Sequence, residues 1–204
     1  ASQVGWVFFG WGVLLAITSV WTAPALQRRF GTVPVIIGAL TSGAIVETTS
    51  MTVVLMLPAI VVTVSDRSAS GERVDAAGPI AVLSLVDAGF VCPDATVVAD
   101  GAVSVAEALR EALVGGARLI ITTGGTGVGP RDRTPEGTAS VLTRELPGIA
   151  DELRRLGATE TPGGMLSRGL AGVVDPGGLS AHGALIVNLP GSPKAVASGM
   201  PVVL

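Results

Sequence analysis

Residues 119–135 read LIITTGGTGVGPRDRTP. Leu119 to Thr122 is a short apolar and β-branched run, which predicts a buried strand. Thr123-Gly124-Gly125-Thr126-Gly127 follows at once, then Val128-Gly129-Pro130-Arg131-Asp132. Thr134-Pro135 predicts a helix start, with Thr as N-cap and Pro at the first helical position. Strand, glycine loop and helix make up the repeating unit of an open α/β sheet. In such sheets ligands bind beyond the carboxyl ends of the strands. Glycines at that place let backbone N–H groups converge on phosphate oxygens; a plain connection is the alternative. The loop has no Gly-Lys-Ser/Thr ending and no dinucleotide-type glycine spacing.

The same alternation extends outward. Ile60 to Val64 predicts a strand ending in the loop Ser65 to Gly71. Asp75 to Ala88 has helical spacing and closes at Gly89. Ala95 to Ala99 predicts a second strand, ending at Asp100-Gly101. Ser104 to Leu113 predicts a helix with Ser104 and Glu107 as a capping box. Leu185 to Leu189 predicts a strand ending in Pro190-Gly191-Ser192-Pro193-Lys194. The expected fold is α/β: three layers, a mostly parallel sheet covered by helices on both faces.

Several loop residues are candidates for chemistry. Asp100 and Asp132 stand at what the pattern suggests are neighbouring strand ends. Two carboxylates there can share Mg²⁺, a hard cation that usually also holds substrate phosphates. Singly, each Asp is as readily a turn or cap residue. Ser167 reads as a polar contact or a helix cap, and Lys194 as a phosphate partner or solvated surface. His182, in a glycine- and serine-rich surface loop from Asp175 to Gly183, and Cys92 read as incidental.

Composition excludes other classes. The chain has 204 residues, net charge −3, one Cys, one His and no Tyr. That excludes a disulfide framework, a His- or Cys-rich metal site and a polybasic nucleic-acid binder. Mean hydropathy is +0.64, but the apolar residues are unevenly spread. Residues 1–58 hold three charged residues, Arg28, Arg29 and Glu47, against 26 in the remaining 146. Val4 to Leu26 is uncharged for 23 residues, enough to span a bilayer core as a helix. Further apolar stretches run Val33 to Val46 and Met51 to Val64. Packed core helices are the alternative reading of this region. If two segments span, Arg28 and Arg29 place their loop inside, and the following domain would lie outside, where ATP is scarce. The segment APALQRRFG resembles a loop of major facilitator transporters, and residues 1–58 look like a joined or truncated fragment.

The stretch IITTGGTGVGPRDRTPEGT (120–138) resembles the signature of the molybdopterin adenylyltransferase family, the MogA/MoaB and gephyrin G-domain group. Further blocks follow in the family's order: VVTVSDRSASGERVDAAGP (61–79), VVADG (97–101), LPGIADELRRLG (146–157), MLSRGLAG (165–172) and LIVNLPGSPKAV (185–196). The resemblance covers 59–204. It implies transfer of AMP from Mg·ATP to the terminal phosphate of molybdopterin, with pyrophosphate released, in a cytoplasmic homotrimer that serves a molybdenum-insertion protein. It implies that Asp100 and Asp132 are the catalytic, Mg²⁺-holding aspartates. It puts Thr123, Gly124, Gly125, Thr126 and Gly127 on the nucleotide and phosphates, and Ser167 on the pterin side. Asp66, Gly71 and Asp75 match the first-loop pattern, and Gly191, Ser192 and Lys194 the last loop.

Two departures from the family are expected. The chain stops at Leu204 within the family's closing helix, where Pro201 also predicts a break at Met200, and the segment from Val174 to Gly183 looks longer than the family's usual loop. A non-catalytic pterin-binding or scaffolding domain of the same fold is the alternative function. An incidental transporter fragment, anchored in a membrane through 1–58, is the other.

Overall fold

The computed structural model describes residues 57–204. The readings made on the apolar stretches of 1–56 lie outside the described residues. Among the described residues no helix is long and apolar enough to cross a membrane. The strands are β1 (Ala59–Val64), β2 (Thr96–Val98), β3 (Leu119–Thr123), β4 (Arg144–Glu145), β5 (Ala171–Val174) and β6 (Ala184–Leu189). The helices are α1 (Asp66–Ala69), α2 (Gly78–Asp87), α3 (Ala102–Val114), α4 (Thr134–Ala139), α5 (Pro147–Glu160) and α6 (Pro193–Val203), with a 3₁₀ turn at Pro162–Leu166.

The six strands form one sheet in the order β2-β1-β3-β6-β5-β4. β2, β1, β3 and β6 run parallel, and β5 and β4 extend one edge, each antiparallel to the strand before it in that order, so that β5 alone is reversed. Strand side chains alternate between faces, and the core divides accordingly. Val62, Val64, Ile120 and Ile186 pack with Val105, Leu109 and Leu113 of α3. Val61, Ile121, Val187 and Leu189 pack with Ala81 and Leu85 of α2 and with Val196 and Met200 of α6. The expected three-layer α/β architecture is therefore the one formed. The chain leaves β1 in one direction to reach β2 and crosses back to β3 on β1's other side. The loops after β1 and β3 thus diverge, and a crevice opens between them.

Five local expectations are revised. The helix expected from Asp75 begins at Gly78. Asp75 Oδ1 accepts from the N–H groups of Ala77 and Gly78, both at 3.0 Å, and so caps the helix from outside it. Ser104 is no N-cap: it lies inside α3, and its hydroxyl donates to Ala99 O at 2.7 Å. Thr134 is not the N-cap of α4 but its first residue, and Arg133 precedes it. Pro201 lies inside α6, which continues to Val203. Pro201 only forgoes one N–H bond there, and the Leu204 N–H still reaches Met200 O at 3.1 Å. β1 also stands between β2 and β3, so Asp100 and the glycine loop do not follow adjacent strands.

Beneath the glycine loop lies one buried polar knot. Asn188, 2% exposed, donates through Nδ2 to Thr122 Oγ1 and Thr138 Oγ1, both at 2.9 Å. Its Oδ1 accepts from the Leu170 N–H at 3.0 Å. This residue ties β6 to β3, to α4 and to the segment entering β5. Asn188→Leu would strand two hydroxyls and an amide in the core, so unfolding stability should fall by about 2–4 kcal/mol. A urea titration reads this as a lower midpoint at constant slope, and an unchanged midpoint would refute it.

Candidate active site

A cleft of about 830 Å³ opens at the carboxyl ends of β1, β3 and β6, within the usual size range of small-molecule sites. Of the residues singled out in the sequence, Asp66, Asp75, Asp100, Thr123, Gly124, Gly125, Thr126, Gly127, Asp132, Ser167, Gly191, Ser192 and Lys194 line it. Gly71 is outside the lining, on the far part of the first loop.

The glycine loop divides into a structural half and a presenting half. Thr123 Oγ1 donates to Pro190 O at 2.9 Å, and the Gly124 N–H donates to Leu189 O at 3.1 Å. Both therefore fasten β3 to the loop after β6. The next four N–H groups, of Gly125, Thr126, Gly127 and Val128, donate to no group among the described residues. Their carbonyl partners account for this. Gly124 O accepts from Thr134 Oγ1 at 2.8 Å, and Gly125 O from the Thr134 N–H at 3.1 Å. A trans peptide points its C=O and N–H in opposite directions, and no peptide bond among the described residues is cis. Thr134 thus holds the carbonyls back and leaves the N–H groups of Gly125 and Thr126 facing away from it. Successive amides left open in this way suit an anion.

Two carboxylates overlook the loop. Asp100 Oδ2 accepts from the Asp66 N–H at 2.8 Å, and Asp66 Oδ1 accepts from the Asp100 N–H at 3.0 Å. This reciprocal pair clasps the loop after β1 to the end of β2. Arg131 reaches across from the glycine loop, with Nε 2.6 Å from Asp66 Oδ2 and Nη2 donating to Asp66 Oδ1 at 2.9 Å. Asp100 Oδ1 accepts no hydrogen bond among the described residues and lies 3.4 Å from where a Cβ on Gly125 would stand. Asp132 Oδ2 accepts from the Gly129 N–H at 2.8 Å and comes equally close to a Cβ position on Gly127.

These donors suit Mg²⁺. Among the described residues no cluster of three or more His, Cys, Asp or Glu side chains forms a closed metal site. Mg²⁺ takes oxygen ligands and commonly only one or two carboxylates, completing its shell with waters and phosphates. Asp100 and Asp132, on either side of an open amide row, could hold it in that way.

The remaining candidates take other parts. Asp75 Oδ2 accepts from Thr63 Oγ1 at 2.6 Å, so both its oxygens are used in structure. Ser192 Oγ accepts from the Ala195 N–H and caps α6. Gly191 packs on Gly124, where an added Cβ would lie 3.0 Å from its Cα. Lys194 is exposed, and its Nζ is 3.7 Å from Glu160 Oε2 in the cleft wall. Ser167 Oγ accepts only a long 3.4 Å bond from the Gly169 N–H.

Sequence reasoning missed the brace behind the loop. Arg168 donates from Nε to Gly127 O at 2.8 Å, from Nη1 to Glu136 Oε1 at 2.8 Å, and from Nη2 to Asp132 O. The guanidinium holds the Glu136 carboxyl below the usual carboxylate range. The partners stand 32 residues apart, so no local spacing pairs them, and only the position of Arg168 next to Ser167 hinted at it. A carboxyl lowered by folding adds stability above its unfolded pKa, about 4.3, and that stability disappears as pH falls through its folded value. Glu136→Gln should therefore melt below the wild type at neutral pH, by under about 1 kcal/mol for so open a pair. The gap should close below about pH 4. Thermal melts across that range check this, and a gap that persists in acid would contradict it.

Fold and site together define an α/β domain with an open row of loop amides and two carboxylates at the carboxyl edge of a mostly parallel sheet. Residues 60–204 match the family described as "Probable molybdopterin binding domain", and the chain belongs to that family. It is 42% identical over 142 residues to a molybdenum cofactor biosynthesis bifunctional protein of Synechococcus elongatus, covering 70% of this chain and 42% of that one. It is 33% identical over 139 residues to a molybdopterin adenylyltransferase of Haemophilus influenzae, covering 66% of each. The chain thus spans less than half of the first relative. The solved Mog protein of Mycobacterium ulcerans superposes with TM-score 0.65 at 44% identity, over 72% of this chain and 91% of that one.

Proposed function

We propose that residues 59–204 form a molybdopterin adenylyltransferase domain acting in molybdenum cofactor biosynthesis. It moves AMP from Mg·ATP to the terminal phosphate of molybdopterin. An oxygen of the pterin phosphate attacks the α-phosphorus, the bond from that phosphorus to the α,β-bridging oxygen breaks, and pyrophosphate leaves with that oxygen. The observation that carries this reading is the row of four unpartnered N–H groups, Gly125 to Val128, overlooked by Asp100 and Asp132. A cradle for phosphate oxygens beside carboxylates suited to a divalent cation is what such a transfer requires.

Little covalent work falls to the protein in phosphoryl-group chemistry; alignment and charge stabilisation do most of it. Mg²⁺, when bound with the triphosphate, supplies charge neutralisation. The amides of Gly125 to Val128 orient the phosphates, and Asp100, held by its clasp with Asp66, keeps one free oxygen toward them. Ser167 meets the pterin side, and Lys194 draws anionic substrate to the rim. The cleft contains neither Cys92 nor His182, which agrees with direct transfer. The remaining proposals are a homotrimer that hands its product to a molybdenum-insertion protein, and action in the cytoplasm, where ATP is.

The test is to incubate the purified chain with Mg·ATP and molybdopterin. Adenylylated molybdopterin and pyrophosphate should accumulate in equal amounts. If substrate binds but neither product forms, adenylyl transfer is wrong.

A further inference from the structure

Arg168 sits where two peptide planes decide what the cleft presents. Its backbone N–H donates to Thr126 O at 2.8 Å, and its Nε donates to Gly127 O at 2.8 Å. Each bond fixes a carbonyl, and a trans peptide sends the following N–H the opposite way. The Gly127 and Val128 N–H groups are therefore turned away from Arg168, toward the open side of the loop. Thr134 does the same for Gly125 and Thr126. The row of four thus has two supports, each controlling two amides. Arg168 further holds Asp132 O through Nη2, while Glu136 anchors its guanidinium. The Glu136 carboxylate also favours the charged guanidinium.

We propose that Arg168 is a positioning residue: its side chain, anchored by Glu136, aims the Val128 N–H at bound phosphate and sets the place of Asp132, while its main chain aims the Gly127 N–H. It touches no substrate itself. The proposal rests on the adenylyl-transfer reading only for the identity of the ligand. It separates the amide row into an Arg168-dependent half and a Thr134-dependent half.

The experiment measures affinity for Mg·α,β-methylene-ATP by calorimetry, and amide exchange residue by residue with and without it. Variants are Arg168→Lys and Glu136→Gln, with Arg155→Ala as control, since among the described residues Arg155 pairs only with Glu152, on its own helix α5. Lysine keeps the charge but lacks the planar fork that reaches several acceptors at once. In the wild type all four amides, Gly125 to Val128, should gain protection when the analogue binds. In Arg168→Lys, which keeps the main-chain bond to Thr126 O, the Val128 amide should lose that gain, while Gly125, Thr126 and Gly127 keep it. Affinity should fall about ten-fold, the equivalent of about 1.4 kcal/mol. Glu136→Gln should shift both readouts the same way by less, and Arg155→Ala neither.

Wild-type affinity and full protection in Arg168→Lys would overturn the proposal. So would uniform loss of protection across the sheet, the mark of a merely structural role. If the wild type fails to bind the analogue, the adenylyl-transfer reading falls instead. The Gly129 and Asp132 amides, both hydrogen-bonded within the loop, then decide: wild-type exchange there in Arg168→Lys overturns the positioning role.

Discussion

Asp100→Ala is expected to lower formation of adenylylated molybdopterin by about 10²–10³-fold, the scale seen when one preorganised electrostatic group is removed from an active site. The loss should fall on kcat, since the role proposed for Asp100 is to act on charge that redistributes during transfer. The substitution also removes the acceptor of the Asp66 N–H, a bond of 2.8 Å, whose net worth is about 1 kcal/mol. Asp100→Asn keeps an acceptor oxygen there and should fold as well as the wild type while losing turnover to a similar degree. Steady-state assays with thermal melts on both variants separate the two effects. Wild-type turnover in either variant would remove Asp100 from the reaction.

The largest effect on stability should come from Gly124→Ala. Gly124 has φ +101, a conformation that L side chains rarely adopt. A Cβ built there would lie 2.2 Å from Val64 O, a backbone atom of the central strand that has no room to give. The expected loss is about 3–5 kcal/mol, combining backbone strain with overpacking. Gly71→Ala provides the control. Its φ is +79 and nothing lies within 4 Å of the added carbon, so it should lose only about 1–2 kcal/mol. Denaturant unfolding of the two variants isolates the clash, and equal losses would show that Val64 O imposes no constraint.

The centre of the fold was legible because it is buried on both faces. β1, β3 and β6 read as near-continuous apolar and β-branched runs, AIVVTV, LIITT and ALIVNL. The antiparallel edge was not legible. β4 is two exposed charged residues, Arg144 and Glu145, and its place in the sheet comes from pairing with β5 alone. Caps misled for a consistent reason. Ser104 and Thr134 have the composition of helix caps, yet their hydroxyls bond carbonyls outside the helix, at Ala99 and Gly124. The cleft lining was readable from the loop composition and the family resemblance, and most of the residues picked out do lie there. The division of labour within it was not. Nothing in the local sequence shows that Asp75 also holds the Thr63 hydroxyl, or that Arg168 and Glu136 form a brace. Those facts depend on contacts between residues distant in sequence.

The proposed phosphate cradle is written in main chain. Its four contact groups are peptide N–H groups, which belong to every residue except proline and survive any side-chain truncation. Alanine at Thr126 or Val128 would leave all of them in place, whereas alanine at Gly125, with φ +61 and Thr134 Oγ1 2.3 Å from the added Cβ, would disturb a support. The informative change at this site is subtraction of a single amide, by proline at Val128 or by an ester bond in a semisynthetic chain. Natural variation in the side chains of this loop can likewise proceed without erasing the amide row, provided that the two supports behind it remain.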